Sequence, residues 1–262
     1  MTHPPQKSQP PLIDRETSQA FQKTSANAIL LPKLSQRLHV LLDWVPPDAY
    51  VADIGTDHAH LPIHLAHHKK CMRLMACDKN PHPLQAAQQN VAQAGFQEHI
   101  ELRLGPGLKS LAPGEITLAI LAGMGRSTIE QILLADPPQH LGIQTLLLQS
   151  NTEEELLRRF VLQQGWQIQE EHLLFERKQF YLSFRVHVST APQPPSMLDE
   201  EAWLLGSLPQ TVPHALLCAY LESKRFALQK KAEFAPQAEH KVPVHRYLEL
   251  IQHIQASDAQ RD

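Results

Sequence analysis

The sequence predicts an α/β fold: a mostly parallel sheet with helices on both faces, an antiparallel last strand, and a helical region after it. Three observations carry this. From about residue 50 to residue 165, short apolar runs alternate with stretches of helical period, the pattern of a parallel sheet buried on both faces. Two further runs near 166–188 are joined by so short a turn that they must pair antiparallel. Beyond a proline-rich stretch at 190–195, apolar residues recur only at helical spacing.

The elements follow in order. Residues 1–28, rich in Pro, Gln, Ser and Thr, read as a disordered arm. Leu34, Leu38, Leu41 and Leu42 place a helix over 33–44, stopped before Pro46-Pro47. A strand at 50–54 leads into a helix near 61–69. A strand at 73–77 precedes a helix over 83–94, and a strand at 100–104 ends in Gly105-Pro106-Gly107. The run 116–121 is a buried strand, followed by Gly123-Met124-Gly125 and a helix over 127–135. A strand at 143–149 leads to a helix over 152–164, and strands at 166–175 and 179–188 close the sheet. Helices over 214–234 and 243–256 complete the chain. The domain plan is therefore an arm (1–28), an α/β domain (29–189), a linker (190–196) and a helical C-terminal domain (197–262).

Composition narrows the function. Lys and Arg number 24 against 27 Asp and Glu, a net charge of −3, so no overall basic surplus marks a nucleic-acid binder. An RNA surface would have to be a patch. Lys69/Lys70/Arg73, Arg158/Arg159, and Lys224/Arg225 with Lys230/Lys231 are the basic clusters, each read as a solvated face. Cys71, Cys77 and Cys218 form no CxxC and are odd in number, which argues against a disulfide framework. No apolar run approaches the ~18 residues of a membrane span, and no signal-peptide core opens the chain. The expectation is a cytoplasmic protein without a membrane partner, its oligomeric state left open.

Glycine is scarce, 10 against 21 prolines, so its placement is informative. Gly55, Gly105, Gly107, Gly123 and Gly125 fall at predicted strand ends along one edge, where a missing Cβ lets backbone approach a ligand. The other five read as ordinary turns and helix ends. The first strand ends Asp53-Ile54-Gly55-Thr56-Asp57-His58, an acid and a glycine where open α/β sheets receive nucleoside cofactors. The second and third glycines of GxGxxG are absent, and a carboxylate at Asp57 would repel a pyrophosphate. A cofactor with a positive end, such as S-adenosylmethionine, suits this loop better. An ordinary βα turn capped by Asp is the alternative. Asp78, 23 positions after Gly55, stands where an acid bonds ribose hydroxyls. His58, His60, His64, His67 and His68 crowd one stretch, with His60 and His64 at i, i+4. No HExxH pattern accompanies them, and no metal is expected.

Five segments bear a resemblance to a known family. They are Leu34-Ser-Gln-Arg-Leu38, Ala52-Asp-Ile-Gly-Thr-Asp-His-Ala-His-Leu-Pro62, Arg103-Leu-Gly-Pro-Gly-Leu108, Ala122-Gly-Met-Gly125 and Leu148-Gln-Ser-Asn151. With the closing hairpin Glu176-Arg-Lys-Gln-Phe-Tyr181, they resemble the bacterial tRNA adenine methyltransferases that modify the ring nitrogen of adenine 22. The resemblance implies a Rossmann-like class I methyltransferase sheet with a C-terminal helical domain, S-adenosylmethionine as cofactor and tRNA as partner. It implies cofactor contacts at Asp53, Ile54, Gly55, Asp57, Asp78, Lys79, Gly105, Pro106, Gly107, Ala122 and Gly123. It implies reaction-site roles for Asp57, His58, His60, Gly123, Met124 and Asn151, with His60 on the target base and Asn151 supporting the loop nearby. Arg126, by its charge, is expected on a phosphate. Pro106, His60 and Arg126 depart from the family's usual Asp, Tyr and Gly. A non-catalytic binding protein on the same scaffold, or a methyltransferase with another substrate, are the competing readings.

Overall fold

The computed structural model describes residues 31–68, 70–189, 200–234, 249–253 and 256. The expected arm, the linker and most of the expected last helix lie outside them. The elements run α1 (Gln36–Trp44), β1 (Tyr50–Ile54), α2 (His60–His67), β2 (Arg73–Asp78), α3 (Pro81–Ala94), β3 (Ile100–Leu104), β4 (Leu118–Met124), α4 (Arg126–Ala135), β5 (Thr145–Ser150), α5 (Glu154–Gln163), β6 (Gln167–Glu176), β7 (Gln179–His187), α6 (Glu200–Leu205), α7 (Leu208–Thr211) and α8 (His214–Phe234). One seven-stranded sheet has the order β3-β2-β1-β4-β5-β7-β6. Strands β1 to β5 pair in parallel, whereas β7 is antiparallel to both β5 and β6.

Alternation along the strands divides the core into two layers. Val51, Leu74, Ala76, Ile120 and Leu147 pack under α1, α2 and α3. Ala52, Met75, Leu121, Leu146 and Leu148 face the other way, onto α4, α5 and the C-terminal helices. Trp203, Leu204, Leu217 and Tyr220 belong to this second layer, so the described part of the C-terminal region is built onto the sheet.

Several boundaries differ from expectation for local reasons. Strand β4 was expected over 116–121, but it runs to Met124, through the glycine motif. Gly123, at φ +75°, is absorbed as an irregularity between the pairs Ala122↔Gln149 and Met124↔Ser150, which is how a bulge re-aims a strand end. Helix α3 starts at Pro81 rather than 83, because proline is accepted in the first turn, where no N–H is required. Helix α5 begins at Glu154 rather than 152, since Glu153 sits at φ +51°.

The largest correction concerns Arg158, read from sequence as part of a solvated basic cluster. Its side chain is 1% exposed and ion-paired at 2.6 Å with Glu171, itself 2% exposed. Arg158 Nη1 donates to the carbonyls of Trp203 and Leu204, and its guanidinium lies over the Phe184 ring. Glu171 Oε2 accepts from the Ser207 N–H and hydroxyl. Gly206, expected to be an ordinary turn, packs on this pair at φ +56°; a Cβ there would come within 2.5 Å of Arg158 Nε and Glu171 Oε2.

Removing one partner of such a pair strands the other charge in the interior. Arg158→Met is therefore expected to lower the unfolding free energy by about 3–5 kcal/mol, measured by chemical denaturation. Arg158→Met combined with Glu171→Leu should recover part of that loss.

Candidate functional site

The site forms at the carboxyl edge of the parallel strands, where the strand order reverses: β1 continues to β2 on one side and has β4 on the other. The βα loops part at such a point and leave a crevice. Each loop hangs on the neighbouring strand. The Gly55 and Thr56 N–H groups donate to Cys77 O, Gly105 N–H to Asp78 O, and Asn151 N–H to Met124 O.

The β1–α2 loop winds through left-handed residues at alternate positions: Gly55 (φ +72°), Asp57 (φ +54°) and Ala59 (φ +56°). Only the first is glycine. At Gly55 a Cβ would overlap the Met124 side chain, so this glycine is the space Met124 lies in. Non-glycine residues held at positive φ concentrate at functional sites, and Asp57 lies directly beside the acidic strand end.

Two cavities meet across Gly55, Ala122 and Gly123. The larger, about 510 Å³, is lined by Ile54, Asp78, Lys79, Gly105, Pro106 and Gly107, with Met124 on its floor. The smaller, about 220 Å³, is lined by Arg37, Asp53, Asp57, His58 and His60. The structure thus brings together the expected cofactor and reaction-site residues except Asn151, which, like Arg126, lines neither cavity. Exposed Asn151 instead donates from Nδ2 to Gly123 O at 2.7 Å, bracing a residue that lines both cavities. An open depression of about 780 Å³ around His67, Cys71 and Phe96 lies at the opposite edge, where β2 and β3 begin.

Burial and charge set the electrostatics. Asp53 is 6% exposed and accepts the Thr56 hydroxyl at 2.8 Å. Burial pushes its carboxyl up to about 6; the Thr56 bond pulls the other way, and the nearby Asp78 charge adds to the rise. Asp78 receives the N–H groups of Asp57 (3.3 Å) and Asn80 (2.8 Å). His60 is pushed below its ordinary value, first by burial and then by the neighbouring His58, with which it stacks at 5.6 Å. His58 stands 3.5 Å from Asp57. Among the described residues no group of three or more His, Cys, Asp or Glu has the arrangement of a metal centre.

Arg126 was expected to reach for phosphate. It is instead paired with Glu130 and Glu153, which neutralises its guanidinium and braces the start of α4 against the start of α5.

Sequence reasoning missed Arg37 and Gln149. Gln149 is fully buried. Its Oε1 accepts from Arg37 Nη1 at 2.6 Å and from Gly123 N–H at 3.2 Å. Its Nε2 donates to Ser150 O and Asn151 Oδ1. Arg37 also lies over the Tyr181 ring. Both residues sit inside motifs quoted for the resemblance, but their pairing spans 112 positions and leaves no local pattern. A polar Gln in the otherwise apolar run 146–148 was the available signal.

Residues 34–183 match the family described as Methyltransferase domain. A tRNA (adenine(22)-N(1))-methyltransferase of Bacillus subtilis (strain 168) is 32% identical over 149 residues, covering 57% of this chain and 63% of that protein. The chain thus matches less than two thirds of that relative's length. TrmK of M. capricolum, solved with S-adenosyl-homocysteine, superposes with TM-score 0.66 at 28% identity, over 86% of this chain and 97% of that one. Sp1610 of Streptococcus pneumoniae, solved with S-adenosyl-L-methionine, gives TM-score 0.72 at 25% identity, over 85% and 99%.

The raised Asp53 value has a stability consequence. Its folded value lies above the ordinary one, so the folded state holds the proton more tightly. The resulting stabilisation is complete below about pH 4 and is lost as pH rises through about 6. Asp53→Asn should remove this dependence and be the more stable protein at pH 7, by on the order of 3 kcal/mol. Paired thermal melts from pH 4 to 8 measure it.

Proposed function

Because this chain belongs to the methyltransferase-domain family, we propose that it transfers a methyl group from S-adenosylmethionine to a ring nitrogen of adenine in tRNA, at the position its B. subtilis relative is named for. The observation that carries the reading is the paired cavity at the switch point. It joins an acidic pocket to a glycine-walled cleft across Gly55 and Gly123.

The residues fit the cofactor on their own chemistry. Asp53 is a desolvated carboxylate held at an unfavourable charge, and a cation brought beside it relieves that cost. Asp78 suits ribose hydroxyls at the head of the larger cleft, beside Lys79. Gly105, Pro106 and Gly107 offer a backbone wall to the flat adenine. Pro106 lacks an N–H and an acceptor side chain, so recognition there rests on shape. Asp57 turns its carboxylate toward the smaller pocket.

Bound there, S-adenosylmethionine supplies an electrophilic methyl on sulfur. The adenine ring nitrogen carries an in-plane lone pair and attacks without prior deprotonation. Held by Asp53, Asp78 and the Gly105–Gly107 wall, the cofactor would give up its methyl as an N–C bond replaces the S–C bond, its positive charge passing to the base. The protein therefore contributes alignment, worth about 7–11 kcal/mol in favourable cases, more than acid–base chemistry. His58 and His60, stacked and partly desolvated, form a surface for the extruded base. Burial and the neighbouring His58 push the His60 imidazole below its ordinary value, which disfavours a cation there as charge develops on the methylated ring. Asn151 and Gln149 fix the Gly123 backbone beside both partners.

Incubation with labelled S-adenosylmethionine and unmodified tRNA is expected to yield N-methyladenosine in the D-loop region. Absence of that product at every enzyme concentration overturns the reading. Calorimetry gives an independent check. Cofactor affinity should fall as pH drops through about 6, nearing tenfold per unit below it, with proton release on binding, because Asp53 must ionise to pair. Asp53→Asn should flatten that profile and weaken binding about 10- to 100-fold, the range for losing a charged hydrogen bond.

A further inference from the structure

Strand β6 ends at Glu176 and β7 begins at Gln179, and these two residues pair. The turn between them is therefore the dipeptide Arg177-Lys178. Both residues are at positive φ, +50° and +65°. Two-residue hairpins require this, and it is why Asn-Gly or Asp-Gly usually fills them. Two long basic side chains here carry the conformational cost of the left-handed region at both positions. Both are exposed. Among the described residues neither pairs with a carboxylate; the adjacent Glu176 is engaged with the first N–H groups of α1, at 3.0 Å to Gln36 and 3.5 Å to Arg37.

The tip is fixed relative to the site. Strand β7 runs antiparallel to β5 with Ser183 opposite Gln149, so its start overhangs the carboxyl edge. Lys178 lies five residues from Ser183 towards the tip, about 17 Å of extended chain past the Gln149–Ser183 pair. Glu176 holds the tip to α1, and Arg37 of α1 reaches Gln149 and lies over Tyr181. Phe175, 53% exposed, stands against Phe180 at 4.7 Å on the same hairpin end. Cations beside an exposed ring are the pairing that holds a nucleic-acid strand, by phosphate neutralisation and base stacking. The crevice walls carry Asp53, Asp57 and Asp78 beside Arg37, Lys79 and Lys109, so they offer a polyanion little net attraction, and a basic tip outside them adds phosphate contacts that the acids do not oppose.

We propose that the β6–β7 tip is an RNA-docking prong: Arg177 and Lys178 take phosphates of the substrate strand within a few nucleotides of the target base, and Phe175 stacks on a neighbouring base. This deepens the tRNA-methyltransferase reading and rests on it.

The test compares wild type with R177N/K178G, which removes both charges and installs the dipeptide this turn favours. The variant should fold at least as well, with a Tm a few degrees higher, and bind S-adenosylmethionine unchanged. Its affinity for an unmodified tRNA transcript should fall threefold to tenfold at about 0.15 M salt. The slope of log affinity against log salt should shrink by about 1.4–1.8, two phosphate contacts. R177K/K178R, which keeps both charges, should keep affinity and slope. If the wild type methylates tRNA and R177N/K178G matches it in affinity and slope, the prong is overturned alone. If the wild type binds S-adenosylmethionine but neither binds nor methylates tRNA, the prong and the reading beneath it fall together.

Discussion

The constraint on which the site depends is the unfinished hydrogen bonding at the carboxyl edge of a parallel sheet. The last carbonyls of β2 and β4 have no further strand residue to bond, and buried carbonyls are seldom left alone. The chain completes them with the N–H groups of the next loops: Gly55 and Thr56 on Cys77, Gly105 on Asp78, Asn151 on Met124. Each bond fixes the height of one loop above the sheet. Because β1 sits between β2 and β4, the loops so fixed diverge from one line, and the crevice opens along it. Left-handed turns at Gly55, Asp57 and Ala59 then carry the chain from β1 into α2 through the five residues after Ile54.

The same geometry selects the ligand's charge. Asp53 and Asp78 stand at the carboxyl ends of adjacent strands; burial raises the cost of ionising Asp53 most, and the Asp78 charge adds to it. The protein holds this unfavourable arrangement with one hydroxyl bond from Thr56 and backbone N–H groups on Asp78. An anionic pyrophosphate would make it worse, whereas a cationic end group makes it better. The exclusion of a dinucleotide drawn from missing glycines and the attraction drawn from the buried acid are thus one argument reached from two directions.

Much of this was legible in the sequence because it is local. Strand positions follow from short apolar runs, and site loops from an acid or a glycine at each strand end. What stayed illegible is pairing across long separations. Arg158 looks like half of a surface Arg-Arg pair until Glu171, thirteen residues on, and Gly206, from beyond the proline-rich stretch, close around it. Arg37 and Gln149 look like a helix polar residue and a strand end until the fold places them 2.6 Å apart. Strand β4, expected to stop at Leu121, continues to Met124 because Gly123 bends it without ending it.

These long-range pairs bear on the site as well as on stability. Helix α5 starts two residues after Thr152, and its first turn carries Glu154 and Glu155, where negative charge suits the helix dipole. Both are buried and both are paired with Lys224 of α8. Four residues on, Arg158 is locked to Glu171, Trp203 and Leu204. From the other side, Glu153 is held by Arg126 at the start of α4. The segment 150–153 is therefore clamped at its exit by the C-terminal helices and at its flank by α4. Asn151 within it can keep its 2.7 Å bond to Gly123 without conformational freedom of its own. The described C-terminal helices thus act on the cavity edge at a distance: they hold the start of α5, and with it the segment whose Asn151 bonds Gly123.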